Sequence, residues 1–267
     1  MSVTIFRRMV LELGHEAVDP AAMREAAGLA RFLGVSLHAL FVEDETLLHV
    51  CAFPFTREFS PLSFQWRPMD HARLEAGLRA AAERARIHLI AAGRAAGVAL
   101  SFEVRRGDAV AHSGEISTAG DIIVISQPSG RGFVTDRYLN ALEAAYRSAA
   151  SILFLPPLPA RGGDRPRGPI VAGPIVAVAA RPDDSGPDIA ARIAAASDRP
   201  LLVLATPPMM SRFLDHVPVR PLAGITPHDI AAALGGERET LIVVAQRDAE
   251  AGAALSAARG VPVLAAA

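Results

Sequence analysis

The chain contains no lysine; all 27 of its basic residues are arginine. That absence removes a Schiff-base lysine, a lysine general base and the lysine of a phosphate-binding P-loop. An Ala- and Arg-rich chain fits a GC-rich coding sequence, which accounts for the bias, and the chemical exclusions hold whatever its origin. Cysteine is almost missing too. Cys51 stands alone, so there is no disulfide framework and no thiolate cluster. His49 adds one soft ligand beside it, which does not make a metal site, and no metal is expected. Aromatic residues are only 5% of the chain, although hydrophobic residues are 51%. Ala, Val, Leu and Ile must therefore fill the core. The 27 basic residues face 28 acidic ones, so no charge excess draws the chain to nucleic acid or an anionic membrane. Met1 to Val10 lack the long apolar run of a signal peptide, and Arg94 and Pro174 interrupt the longest apolar stretches well short of a membrane span. A soluble, cytoplasmic, bacterial protein with no nucleic-acid or membrane partner is expected.

What is present alternates between strand and helix. Arg8 to Leu13 (RMVLEL), Val35 to Val42, Val98 to Val104, Asp121 to Ile125 and Ser151 to Leu155 (SILFL) read as strands. Between them lie helical patterns at Pro20 to Leu33, about Asp70 to Ala96, Ala109 to Thr118 and Thr135 to Ala149. Pro20 at the start and Gly34 past the end of the first helix follow the usual asymmetry. Residues 156–169 are too rich in Pro and Gly for a helix or central strand, and they read as a linker. The same grammar then returns, compressed. Strands are expected at Ile175 to Ala179, Leu201 to Ala205, Val217 to Leu222, Leu241 to Ala245 and Val261 to Ala265, with helices at Pro187 to Ala196, Pro227 to Leu234 and Ala249 to Arg259. This α/β alternation predicts open parallel sheets with helices on both faces.

The fourth strand leads into Ser126-Gln127-Pro128-Ser129-Gly130-Arg131-Gly132, small residues where a phosphate cradle or an ordinary turn would fit. Five strands in this order, with such a turn after the fourth, resemble the universal stress protein family. The spacing from Ser126 through Ser129 and Leu139 to the fifth strand at Ile152 fits that family's nucleotide signature, Gly-x2-Gly-x9-Gly-Ser/Thr, and Gly107-Asp108 fits the end of its third strand. The resemblance covers most of residues 1–157 and, more loosely, 170–267. It implies two tandem five-stranded parallel sheets of the universal stress protein and adenine nucleotide alpha hydrolase-like kind. The expected division is residues 1–157, a linker at 158–172, and a shorter unit at 173–267. It also implies a homodimer, or an internal pseudo-dimer of the two units.

The motif residues depart from the signature. Ser126, Ser129 and Leu139 replace its glycines, and Asn140 replaces its final Ser/Thr. Without glycine, backbone N–H groups lose close access to phosphate oxygens. Gly130, Arg131 and Gly132 offer a shifted loop. In the second unit, Asp183-Asp184-Ser185-Gly186 follows the first strand and reads either as a phosphate site at a helix start or as a helix cap followed by Pro187. No Gly-x-Ser-x-Gly elbow is present, and no Ser/His/Asp set can be picked out.

Three readings follow. The first is a stress-response or regulatory protein, not an enzyme, with no bound cofactor. The second is an ATP- or AMP-binding protein, or a slow ATPase, using Ser126, Ser129, Gly130, Arg131, Gly132 and Asn140, with Asp183, Asp184 and Ser185 as a second candidate set. The third is a module that binds a protein or apolar ligand through Phe53, Phe55, Phe59, Phe64 and Trp66, which concentrate the scarce aromatics in one connection. Those rings either seal a groove between the units or form a lid or a partner-docking patch.

Overall fold

The computed structural model describes residues 5–13, 20–60, 63–107, 117–126, 136–157, 172–214 and 217–267. The first half contains β1 (Arg8–Leu13), α1 (Pro20–Leu33), β2 (Ser36–Asp44), α2 (Glu45–Cys51), a hairpin of β3 (Arg57–Ser60) and β4 (Gln65–Pro68), α3 (His71–Ala96), β5 (Leu100–Gly107), β6 (Asp121–Ser126), α4 (Asp136–Ser148) and β7 (Ser151–Leu155). The second half contains β8 (Ile175–Ala179), α5 (Gly186–Ser197), β9 (Leu201–Ala205), α6 (Pro207–Met210), β10 (Val219–Pro221), α7 (Pro227–Leu234), β11 (Leu241–Ala245), α8 (Ala249–Arg259) and β12 (Val263–Ala266). The expected helix at 109–118 and the linker at 158–172 fall almost wholly outside the described residues.

One correction concerns the sheets. Instead of two separate five-stranded sheets, the strands form a single ten-stranded sheet in the order β10-β9-β8-β11-β12-β7-β6-β1-β2-β5. Each half reads the same from the middle outward: fifth, fourth, first, second and third strand of its half, leaving the β3–β4 hairpin aside. Every neighbour pairs in parallel except β12 and β7, which run antiparallel. The apolar edge that each half would expose is thus covered by the other.

Packing explains why these strands are central. β7, β8, β11 and β12 are buried at every position, because helices cover both faces of the sheet there. At the join, Val263 faces Phe154, Leu264 faces Leu153 and Ala265 faces Ile152, all fully buried. Burying side chains of that size contributes about 1.5–3 kcal/mol each. Two apolar cores run unbroken across the join. One gathers α1, α3 and α5 with residues from Met9 to Leu264, and the other gathers α4, α7 and α8. Alanine makes the close approach workable: α1 buries Ala22, Ala26, Ala27 and Ala30.

The helix ends obey local chemistry. Asp70 caps α3 by accepting from the Ala72 and Arg73 N–H groups, and Gly97 closes it in the left-handed region at φ 68°. Gly34 does the same past α1 at φ 69°.

The N-terminal ends of the first half's strands are fastened by Asp121, which is completely buried. Its carboxylate accepts from Arg7 Nε at 2.8 Å and Nη2 at 2.7 Å, from the Thr118 N–H at 3.0 Å and from Arg8 Nε at 3.4 Å. Burial pushes the Asp121 carboxyl upward, but the Arg7 and Thr118 hydrogen bonds and the charges of Arg8 and Arg7 outweigh it, so its pKa lies below the usual carboxylate range. A depressed native pKa makes this stabilisation fully present above the unfolded-state value of about 4, and it is lost as pH falls through the native value. Asp121→Ala is expected to cost about 2–3 kcal/mol in urea unfolding at neutral pH, and less as the solution is acidified.

Candidate functional site

In open α/β sheets, ligands bind beyond the C-terminal strand ends where the strand order reverses. This molecule has two such points, at β1/β6 and at β8/β11. At the first, Ser126 ends β6 and is exposed. Ser129, Gly130, Arg131 and Gly132 lie outside the described residues, as does the loop after β1. Asn140 falls in the second turn of α4, one residue after Leu139, whose side chain is 53% exposed.

The second switch point is fully described. β8 ends at Ala179, and the chain turns through Arg181-Pro182-Asp183-Asp184 into α5. Asp184, with a side chain only 1% exposed, fixes this turn. Its Oδ2 accepts from the Ala180 N–H at 2.9 Å and the Arg181 N–H at 2.8 Å. Ser185 is the N-cap of α5, but its hydroxyl leaves the helix and donates to the Ala266 carbonyl at the end of β12, at 3.1 Å. Pro187 lies in the first turn, as the sequence predicts. Gly186 starts α5 against the sheet, where a Cβ would make ordinary van der Waals contact with the Val244 backbone at 3.4 Å.

The loop after β11 comes from the opposite side. It is a short 3-10 turn, Gln246–Asp248, running directly into α8. Arg247 Nη2 donates to Asp183 Oδ2 at 2.7 Å, and Arg181 Nη1 donates to Asp248 Oδ2 at 3.2 Å. Both guanidiniums also face Asp184 Oδ1, at 3.8 and 4.0 Å. That oxygen is buried and has no hydrogen-bond partner of its own. The Arg247 hydrogen bond and charge hold the Asp183 carboxyl below its ordinary range. The crevice between β8 and β11 is thus spanned by crossed ion pairs of three carboxylates and two guanidiniums. An incoming phosphate would meet acidic groups, and the Arg side chains that would attract it are already committed. Arg181, Arg247 and Asp248 were missed as a set in the sequence. The only signal for them was opposite charge on two loops 60-odd residues apart.

Two further clusters bear on function. His38 on β2 is buried; its Nδ1 lies 2.7 Å from Ser101 Oγ on β5, while its Nε2 is 3.6 Å from Glu103 Oε2. The second distance is too long for a hydrogen bond, so the three groups do not form a working Ser–His–acid relay. Burial, then the charge of Arg8, pushes the His38 pKa down. The aromatic connection forms the β3–β4 hairpin. Phe53, Phe55, Phe59, Phe64 and Trp66 are all exposed, Phe55 at 78% and Phe64 at 80%, and Phe59 touches both Phe64 and Trp66. The rings therefore do not seal a groove between the halves; the expectation of a seal is corrected. Beside the hairpin, Glu58, Met69, Asp70, Arg73 and Leu78 line a shallow cavity of about 250 Å³ against α3. Among the described residues, no group of three or more His, Cys, Asp or Glu is placed to hold a metal, and no helix is long and apolar enough to cross a membrane.

Comparison with solved structures fixes what kind of fold this is. A protein assigned to the universal stress proteins, from Pseudomonas aeruginosa UCBPP-PA14, aligns over 98% of this chain and 93% of its own, with a TM-score of 0.51 at 12% identity. The two chains share a fold. PA1789, a functionally unknown protein from Pseudomonas aeruginosa PAO1, aligns over 98% of this chain and 92% of its own, with the same score and identity. A universal stress protein solved in complex with cAMP covers 56% of this chain and 96% of its own, with a TM-score of 0.34 at 16% identity. No family model matches the sequence, and no curated protein matches it.

The Asp184 geometry gives a direct test. Asp184→Ala orphans two backbone N–H groups at the end of β8 and is expected to cost about 2 kcal/mol in thermal or urea unfolding. Asp184→Asn keeps an acceptor and should cost measurably less.

Proposed function

We propose that this chain is a universal stress protein-like regulatory protein of the bacterial cytoplasm, not an enzyme, and without ordinary ATP binding. Residues 1–157 and 173–267 are its two domains, joined by the linker at 158–172 and arranged as an internal pseudo-dimer. The observation that supports this reading is the ion-paired crevice at β8/β11, where Arg247–Asp183 and Arg181–Asp248 span the switch point at which open α/β sheets take ligands. The first half supports it through sequence, since Ser126, Ser129 and Leu139 stand where the signature has glycine. Isothermal titration with ATP, ADP and AMP is expected to give no binding in the micromolar range, and the protein as purified should show the absorbance ratio of nucleotide-free protein. Micromolar affinity for any of the three overturns the reading. It would favour the alternative of a nucleotide-binding protein or slow ATPase working through Ser126, Ser129, Gly130, Arg131, Gly132 and Asn140.

A second reading rests on the exposed hairpin. Five aromatic residues in water are a docking patch for a protein segment or an apolar ligand, because leaving them uncovered gives up the stabilisation their burial would provide. Phe55→Ser with Phe64→Ser and Trp66→Ser is expected to leave the melting temperature nearly unchanged, because these side chains pack little in the free protein. The same variant should lose most of the fluorescence gained by an apolar probe such as anilinonaphthalene sulfonate. Unchanged probe fluorescence counts against a binding surface there.

A further inference from the structure

The cavity beside the hairpin is a groove along one face of α3. On the helix its lining runs through Arg73, Leu74, Gly77, Leu78, Ala81 and Arg84, in steps of three and four residues that fall on one side of a helix. Leu74 to Arg84 spans about 15 Å at the helical rise. Leu78 is buried and Leu74 and Ala81 are half-buried, so the floor is apolar. Glu58 and Met69 line it from the hairpin side. Glu58 pairs across the hairpin with Arg67, and the next pair, Phe59 and Trp66, lies on the opposite face. The groove is therefore separate from the aromatic patch.

Gly77 lies in the middle of this floor. A glycine inside a helix costs stability relative to alanine. The backbone does not require it, because its φ is not positive. Packing does not require it either, since a Cβ there would meet no atom within 4 Å. What the missing side chain does is keep the groove open at its centre. The charges around the groove are unequally committed. Glu58 is hydrogen-bonded by Arg67, and Asp70 by the Ala72 and Arg73 N–H groups. Arg73 is 61% exposed and comes no nearer to Glu58 than 3.8 Å. Arg84, three turns further along, is exposed and makes no hydrogen bond or ion pair among the described residues. Its neighbour Glu83 is held by Arg86. The uncommitted charge at the groove is thus cationic, and it stands at the end away from the two acids.

We propose that this groove binds a linear amphipathic carboxylate, an acyl chain with an anionic head. The carboxylate sits on the Arg84 guanidinium, whose planar fork suits its two oxygens. The chain lies over Ala81, Gly77, Leu78 and Leu74 towards Met69, where it removes apolar surface from water. A cavity of about 250 Å³ suits one medium-length acyl chain and is too small for a peptide helix, which is about 10 Å across. The site is distinct from both switch points and from the exposed rings, so the proposal depends neither on the nucleotide reading nor on the docking patch.

Titration calorimetry of the full chain with dodecanoate, kept below its micellar concentration, tests it. The wild type is expected to bind in the micromolar range. Dodecyltrimethylammonium, the same chain with a cationic head, should bind about tenfold more weakly or worse, and so should hexanoate, which has the head without most of the chain. Gly77→Leu fills the groove from its floor and should weaken dodecanoate about tenfold or more, while its melting temperature stays at or above that of the wild type because leucine is the better helix former. Arg84→Gln should weaken dodecanoate by a similar factor, and Arg84→Lys, which keeps the charge, should retain most of the affinity. The triple hairpin variant should bind like the wild type. A wild type that does not bind dodecanoate, or binds the cationic chain equally well, would overturn the proposal. So would folded Gly77→Leu or Arg84→Gln with unchanged affinity, or loss of binding in the triple hairpin variant, which would place the chain on the rings instead.

Discussion

The antiparallel pairing of β7 with β12 is the constraint from which the remaining architecture follows. Each half ends in a strand that is apolar at every position, and neither could leave that strand at an open edge in water. Pairing them buries Phe154, Leu153, Ile152, Val263 and Leu264 together and carries both helical layers across the join as continuous cores. It also dictates where everything else lies. The fourth and first strands of each half come next, so the two switch points flank the join, and the third strands are pushed to the rims.

Much of this was legible in the sequence, for definite reasons. Strands buried on both faces read as unbroken apolar runs, and RMVLEL, SILFL, IVAVA and LIVVA fall at or within a residue or two of their observed ends. Pro20 and Gly34 marked the ends of α1 because their backbone preferences are local. Sheet continuity was not legible. A run such as SILFL reports that it is buried, but not what buries it, and a partner from the other half looks the same as one from another chain. The hairpin was missed because its strands are only four residues long and mostly exposed, too short for a hydrophobic period to be read from sequence.

The candidate sites divide along the same line. Asp183, Asp184 and Ser185 were found as a local cluster, but their bonds are long-range: Arg247 reaches Asp183 across 64 residues, and Ser185 reaches Ala266 across 81. Local sequence suggested Asp or Ser as a helix cap. In the fold, Asp184 instead secures the end of β8, and the Ser185 hydroxyl ties α5 to β12. These bonds make the β8/β11 crevice a brace between the first, fourth and fifth strands of its half. Asp121 braces the opposite end of the first half's strands, where Arg7 and Thr118 converge on one carboxylate.

Because β7 and β12 belong to one chain, their register carries a freedom that a dimer of identical chains lacks. A two-fold axis makes residue i meet residue j and residue j meet residue i, so any enlargement at the seam would be imposed at two places at once. Here Phe154 lies opposite Val263, and Ile152 opposite Ala265, a large side chain against a smaller one each time. Covalent linkage also makes the encounter independent of protein concentration. The seam can therefore be shaped from one side at a time, and each half is free to change while the other keeps the sheet together.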